Sequence, residues 1–133
     1  MTIVVGFIPT PEGHAALHRA AAEARLRRTR LVVVNSRDQA QQGYPAAVAS
    51  FEAALEQARQ SLTDEGLEHE VRAMARGRLP SEDLLDVADE VDAEMIVIGL
   101  RRRSPVGKLF LGSQSQAILL DAERPVLAVK ATD

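Results

Sequence analysis

The chain has 133 residues, of which 46% are apolar and 26% charged, with a net charge of −3 at pH 7. This length suits one domain with a real core, and so small a charge creates no field that would recruit nucleic acid or an anionic membrane. The lack of cysteine excludes disulfides, thiol nucleophiles and cysteine-based zinc sites, and no apolar stretch approaches the roughly 20 residues that cross a bilayer. We therefore expect one cytoplasmic domain over residues 1–133, with neither nucleic acid nor a membrane as partner.

The amino-terminal part of the chain predicts a strand, a helix and a second strand. Ile3–Ile8 is almost continuously apolar and rich in β-branched residues, as in a strand that is buried on both faces. Thr10 is a suitable N-cap, and Pro11 fits the first position of a helix that runs to about Arg27. Leu31–Val34 is a second apolar run, which ends at Asn35 and Ser36.

A longer helix and an edge strand are predicted next. Residues 37–44 are polar and form a loop, and the helix from about Pro45 to Asp64 has apolar residues three or four positions apart. Gly66 is a plausible stop for this helix. His69–Ala75 alternates weakly between apolar and polar residues, which is typical of an exposed edge strand.

The carboxyl-terminal part predicts a helix, a strand, a helix and a last strand. These are Ser81–Val91, Met95–Gly99, Gln114–Leu120 and Pro125–Val129. Strands that alternate with helices in this way predict an α/β domain with a parallel sheet covered by helices on both faces. Ligands of such sheets bind beyond the carboxyl ends of the strands, where the strand order reverses.

The loop before the last helix is basic and suggests an anion site. A helix start presents unpaired N–H groups and a partial positive charge. Ser113 is predicted to cap this helix, with Gln116 completing a capping box. The loop carries Arg101, Arg102, Arg103 and Lys108. It is either an anion clamp or a solvated charged loop.

The segment Ile98–Ser113 resembles the nucleotide loop of the universal stress protein (UspA) family, whose pattern is Gly, two residues, Gly, nine residues, Gly, then Ser or Thr. Gly99, Gly112 and Ser113 match this pattern, and the ending Pro-Val-Leu-Ala-Val also resembles the family. The resemblance covers the whole chain. It implies an open sheet of order 3-2-1-4-5, as in adenine nucleotide alpha hydrolase-like folds, and a homodimer formed through Val126–Lys130.

Two positions depart from the family pattern. Arg102 stands at the second glycine, where a long side chain either obstructs the phosphates or contacts them through its guanidinium. Ile8 stands where the family usually has an aspartate that contacts the adenine or ribose side of the nucleotide. An isoleucine removes this polar anchor but still offers an apolar wall for a base.

The resemblance implies a stress-response protein that binds an adenine nucleotide such as ATP or AMP, or another phosphate-bearing ligand. The alternative is a dimeric interaction protein of the same fold that binds no nucleotide. We expect no enzyme activity, because a water-positioning base and a clear magnesium ligand are missing from the sequence. The predicted nucleotide or phosphate site consists of Ile8, Ser36, Ile98, Gly99, Arg102, Gly112, Ser113 and Gln114.

Two further patterns have simpler explanations. His14 and His18 lie four residues apart on the first helix, as two metal ligands would, but no third ligand accompanies them in the sequence, and we interpret them as surface histidines. Asp83, Asp86, Asp89 and Glu90 are interpreted as a solvated acidic face of a helix.

Overall fold

The structure, a computed structural model, describes residues 1–36, 45–74, 78–101 and 111–131. Its strands are β1 (Thr2–Gly6), β2 (Arg30–Ser36), β3 (His69–Met74), β4 (Met95–Leu100) and β5 (Val126–Lys130). Its helices in these ranges are α1 (Pro11–Arg27), α2 (Pro45–Asp64), α3 (Pro80–Glu90) and α4 (Ser113–Asp121). Within the described ranges, no helix has both the length and the apolar character required to cross a membrane. The predicted loop 37–44, Ala75 and most of the basic loop lie outside the described residues.

The five strands form one parallel sheet in the order β3-β2-β1-β4-β5, which confirms the predicted fold. β1 is central, since Val4 pairs with Val32 of β2 on one side and with Ile96 of β4 on the other. β3 and β5 are the edges, as the weak alternation of β3 predicted. The order reverses between β1 and β4, so a crevice is expected at their carboxyl ends.

Both faces of the sheet are covered, which explains the continuous apolar runs. Ile3 and Val5 of β1 belong to a buried cluster with α1 and α2. Val4, between them, belongs to a second cluster with α3 and α4. Because successive side chains of a strand point to opposite faces, Ile3, Val4 and Val5 all have to be apolar.

Of the three residues predicted to cap or stop a helix, Thr10 and Gly66 are confirmed. The Thr10 side chain accepts a hydrogen bond from the Gly13 N–H at 3.1 Å, and Gly66 follows α2 with a φ of +72°, a backbone conformation that favours glycine. The Ser113 cap is wrong, because Gly112 occupies the N-cap of α4 and Ser113 is its first helical residue. Gln116 Nε2 donates instead to the Leu111 carbonyl at 3.0 Å.

Charged side chains pair along the β3 edge. Glu70 accepts a hydrogen bond from Arg72 Nε at 2.6 Å and another from Arg30 of β2 at 3.3 Å. Arg72 also pairs with Glu90 of α3. The Arg72 hydrogen bond is the main cause that lowers the pKa of Glu70 from its ordinary value of 4.5, and the charges of Arg72 and Arg30 add to this effect against the cost of burial.

We predict that Glu70→Gln lowers the free energy of unfolding at pH 7. The difference in this free energy between the variant and the unmodified protein should narrow below pH 4.5. A carboxyl group with a lowered folded-state pKa stabilises the fold above its unfolded pKa, and this contribution is lost as the pH falls through the folded value. Urea denaturation at pH 7, 4.5 and 3 measures this difference in the free energy of unfolding. Glu68→Gln, which removes an exposed carboxylate next to β3, is the control. If the difference in the free energy of unfolding between Glu70→Gln and the unmodified protein is the same at all three pH values, the prediction is contradicted.

Candidate functional site

A crevice opens where the strand order reverses, between the carboxyl ends of β1 and β4. The first turn of α1 and the start of α4 border it. It has an inner part, which contains Ser36 and Ile98, and an outer part, which contains Gly112 and Ser113. The position is the one that parallel α/β sheets use for ligands.

The inner part is a mainly apolar cavity of about 130 Å³. Val34 of β2, Leu84 of α3, Ile98 of β4 and Ile118 of α4 supply apolar walls. Ser36, at the end of β2, adds a hydroxyl group. Such a cavity suits a flat, largely apolar group that has a few polar atoms at its edge.

The outer part is more polar and has a volume of about 340 Å³. Arg101, Gly112 and Ser113 line it together with the first turn of α4. The first N–H groups of an α-helix have no partner within the helix, and the helix dipole adds a partial positive charge there. The outer part therefore has features that bind an anion.

Two glycines allow the backbone of α1 to approach the ends of the strands. A Cβ atom on Gly99 would lie 2.1 Å from the Glu12 carbonyl oxygen, and one on Gly13 would lie 1.8 Å from that of Ile8. Both distances are far below van der Waals contact, so no other residue fits without moving α1. The fold itself thus requires Gly99, which the sequence analysis identified only as a match to the family pattern and a predicted site residue.

Gly112 differs from Gly99 in this respect. A Cβ atom there would meet no described atom within 4 Å, and its φ of −65° is open to any residue. Nothing in the described part of the chain therefore requires a glycine at this position. Gly112 lines the outer part of the crevice.

Glu12 brings a negative charge to the crevice that the sequence did not suggest. It lines both parts, its side chain is 14% exposed, and its carboxylate lies 4.0 Å from Arg101 Nε. Arg101 is 76% exposed. The carboxylate weakens the attraction of the outer part for anions, and Arg101 offsets this weakening.

A buried hydrogen bond joins β2 to α3 beside the inner part. Ser36 Oγ donates to Asp83 Oδ2 at 2.6 Å, and Asp83 is only 1% exposed. The interpretation of Asp83 as part of a solvated face is therefore wrong. The other three acidic residues of that face are less buried and form ion pairs, Asp86 with Arg78, Asp89 with Arg124 and Glu90 with Arg72.

The crevice brings together the predicted site residues Ile8, Ser36, Ile98, Gly99, Gly112, Ser113 and Gln114. Arg102 lies outside the described residues. That these residues bind a nucleotide stays a prediction. Sequence reasoning missed Glu12, Gly13 and Asp83, and only Gly13 left a signal, since a glycine inside a helix usually has a packing reason.

His14 and His18 are exposed and line a separate groove between α1 and α2. His14 also contacts Phe7 edge-on, with 5.2 Å between the ring centroids. In the described ranges, no three side chains of the types that bind metals lie close enough to share an ion.

Comparisons with known proteins identify relatives over nearly the whole chain. The model of the universal stress protein family matches residues 1–130. A universal stress protein of Mycolicibacterium smegmatis is 41% identical over 128 residues, which cover 96% of each chain. The solved structure of a universal stress protein from Archaeoglobus fulgidus has a TM-score of 0.83 at 38% identity, and one from the same organism in complex with dAMP has 0.77 at 33% identity; each match covers 98% of both chains.

We predict that alanine is destabilising at one of the two crevice glycines and tolerated at the other. Gly99→Ala should lower the free energy of unfolding by roughly 2–3 kcal/mol, because the added Cβ meets backbone rather than a movable side chain. Gly112→Ala should change it by less than about 0.5 kcal/mol. Urea denaturation compares the two variants, and equal losses of stability would contradict this assignment.

Proposed function

Because the chain belongs to the universal stress protein family, we propose that it binds an adenine nucleotide in this crevice and acts in a stress response. The observation that carries the proposal is the continuity of the crevice, whose inner part is apolar and whose outer part has features that bind anions. Five residues line both parts, namely Ile8, Glu12, Gly99, Gln114 and Ser115. A ligand with a base at one end and a phosphate at the other matches this arrangement. The relative in complex with dAMP supports the same ligand class.

Ile8 replaces the usual aspartate of the family, and its position is compatible with a base. It is 40% exposed and lines the crevice without filling it. In the proposal, Ile8 packs against the base or ribose by apolar contact.

The outer part holds the phosphate in the proposal. Gly112 allows close approach of the backbone, Ser113 supplies a hydroxyl, and Arg101 supplies a positive charge. The Glu12 carboxylate opposes each added negative charge. We therefore expect AMP, with a single phosphate, to be a better probe than ATP in the absence of a divalent cation.

The proposal is a binding module rather than an enzyme. In the described part of the chain, the polar side chains that line the crevice are hydroxyl groups, one amide, one carboxylate and one guanidinium. Binding and positioning account for all of these roles. We also propose a cytoplasmic location, where adenine nucleotides are abundant, and cell fractionation tests it.

We further propose that two copies of the chain associate through β5. Among the described residues this strand pairs with β4 and with no strand on its other side, so that side carries N–H and C=O groups that a second strand can pair with. Ala128 is exposed on β5, and Leu120 at the end of α4 is 81% exposed. The exposed side of β5 also supports the alternative function, a dimeric interaction protein that binds no nucleotide.

We predict that the protein binds AMP with micromolar affinity and that Gly112→Ala weakens binding about tenfold, or about 1.4 kcal/mol. The added methyl group occupies the space where the phosphate contacts the backbone. Isothermal titration calorimetry measures both affinities, and Ala53→Ser, on the exposed side of α2, is the control. Absence of binding in the unmodified protein would favour the interaction protein, and phosphate release from magnesium ATP would contradict a pure binding module.

We predict that Ala128→Asp converts a dimer into a monomer. An aspartate on the edge of β5 places like charges opposite each other in the paired strands. Sedimentation equilibrium should give twice the chain mass of 14.4 kDa for the unmodified protein and for Ala53→Asp, and the chain mass for Ala128→Asp. A monomeric unmodified protein would overturn this part of the proposal.

A further inference from the structure

The buried hydrogen bond between Ser36 and Asp83 limits what Ser36 can offer to a ligand. A serine hydroxyl has one hydrogen to donate and lone pairs to accept. Its hydrogen is directed at Asp83 Oδ2, 2.6 Å away. Ser36 therefore faces the crevice as an acceptor of hydrogen bonds and not as a donor.

The surroundings of Ser36 make its role as a hydrogen-bond acceptor more important for ligand selection. Ser36 follows Val34 on the side of the sheet that α3 covers, and Leu84 lines the cavity beside it. Ser36 and Asp83 are 9% and 1% exposed, so little water competes for the hydroxyl. A polar group in such an apolar setting discriminates strongly between ligands that form a hydrogen bond with it and ligands that do not.

We infer that Ser36, oriented by Asp83, selects the base of the bound nucleotide, and this inference rests on the proposed function. The 6-amino group of adenine donates hydrogen bonds and complements the acceptor. The 6-oxo group of hypoxanthine or guanine is itself an acceptor, so it would face another acceptor with no hydrogen between them. Ser36 is thus the specificity residue for the 6-amino group of the proposed ligand, and Asp83 is its positioning residue.

The test compares three ligands that differ only at position 6 of the purine, namely AMP, IMP and the purine ribonucleotide that lacks a substituent there. The unmodified protein should bind AMP about tenfold more tightly than either of the others, the size expected when a buried polar group loses its partner. Ser36→Ala should reduce the ratio of the affinity for AMP to the affinity for each other ligand to less than about threefold, because no acceptor remains to select the amino group.

Asp83→Asn tests the positioning role without a change in side-chain size. The asparagine amide can donate to Ser36, which frees the hydroxyl hydrogen to turn toward a 6-oxo group. The ratio of AMP to IMP affinity should therefore fall, whereas a merely structural role would weaken both ligands equally. Asp86→Asn, an exposed acid on the same helix, and Ser50→Ala on the exposed side of α2 should leave the ratio unchanged.

The outcomes separate this inference from the proposed function. If the unmodified protein binds all three ligands equally, the selection by Ser36 is wrong and nucleotide binding stands. If it binds none of them, both fail. The ligand series on the unmodified protein decides the question even where a variant does not fold, which circular dichroism and thermal melting reveal.

Discussion

The position of α1 is the constraint on which the crevice depends. Its first turn lies so close to the ends of β1 and β4 that a methyl group on Gly13 or Gly99 would overlap a carbonyl oxygen. This contact fixes Glu12 and Ile8 at the edge of the crevice. The hydrogen bond from Gly13 N–H to the Thr10 side chain holds the same turn from within the helix. The geometry of the crevice is therefore set by backbone packing, before any side chain takes part.

Those parts of the fold that arise from local patterns could be predicted from the sequence. The apolar runs of β1, β2 and β4 show that both faces of the sheet are covered, and the alternation with helices shows that it is parallel. The strand order came from the resemblance to a family and not from periodicity, because many orders satisfy the same alternation. Seven of the eight predicted site residues line one crevice, since that crevice lies at the strand ends where they were sought.

The features that the sequence did not predict depend on distance or on competition between neighbours. Ser36 and Asp83 are 47 positions apart, and nothing local distinguishes Asp83 from the exposed acids of α3. Ser113 has the right chemistry for a cap, but the helix begins one residue earlier and Gln116 donates to Leu111 instead. Glu12 is at an ordinary place for an acid in a first helical turn. Its proximity to Arg101 depends on how α1 meets β4.

The two edges of the sheet differ in a way that bears on the size any assembly can reach. Along β3, Glu70 and Arg72 are engaged in ion pairs with β2 and α3, and such charges discourage a further strand from pairing. β5 has only Lys130 as a charged residue and is otherwise apolar. Of the two edges in the described part of the chain, any association through β5 therefore occupies the one that more readily pairs with a further strand. The sheet is thus protected against the open-ended, strand-by-strand growth that leads to fibres.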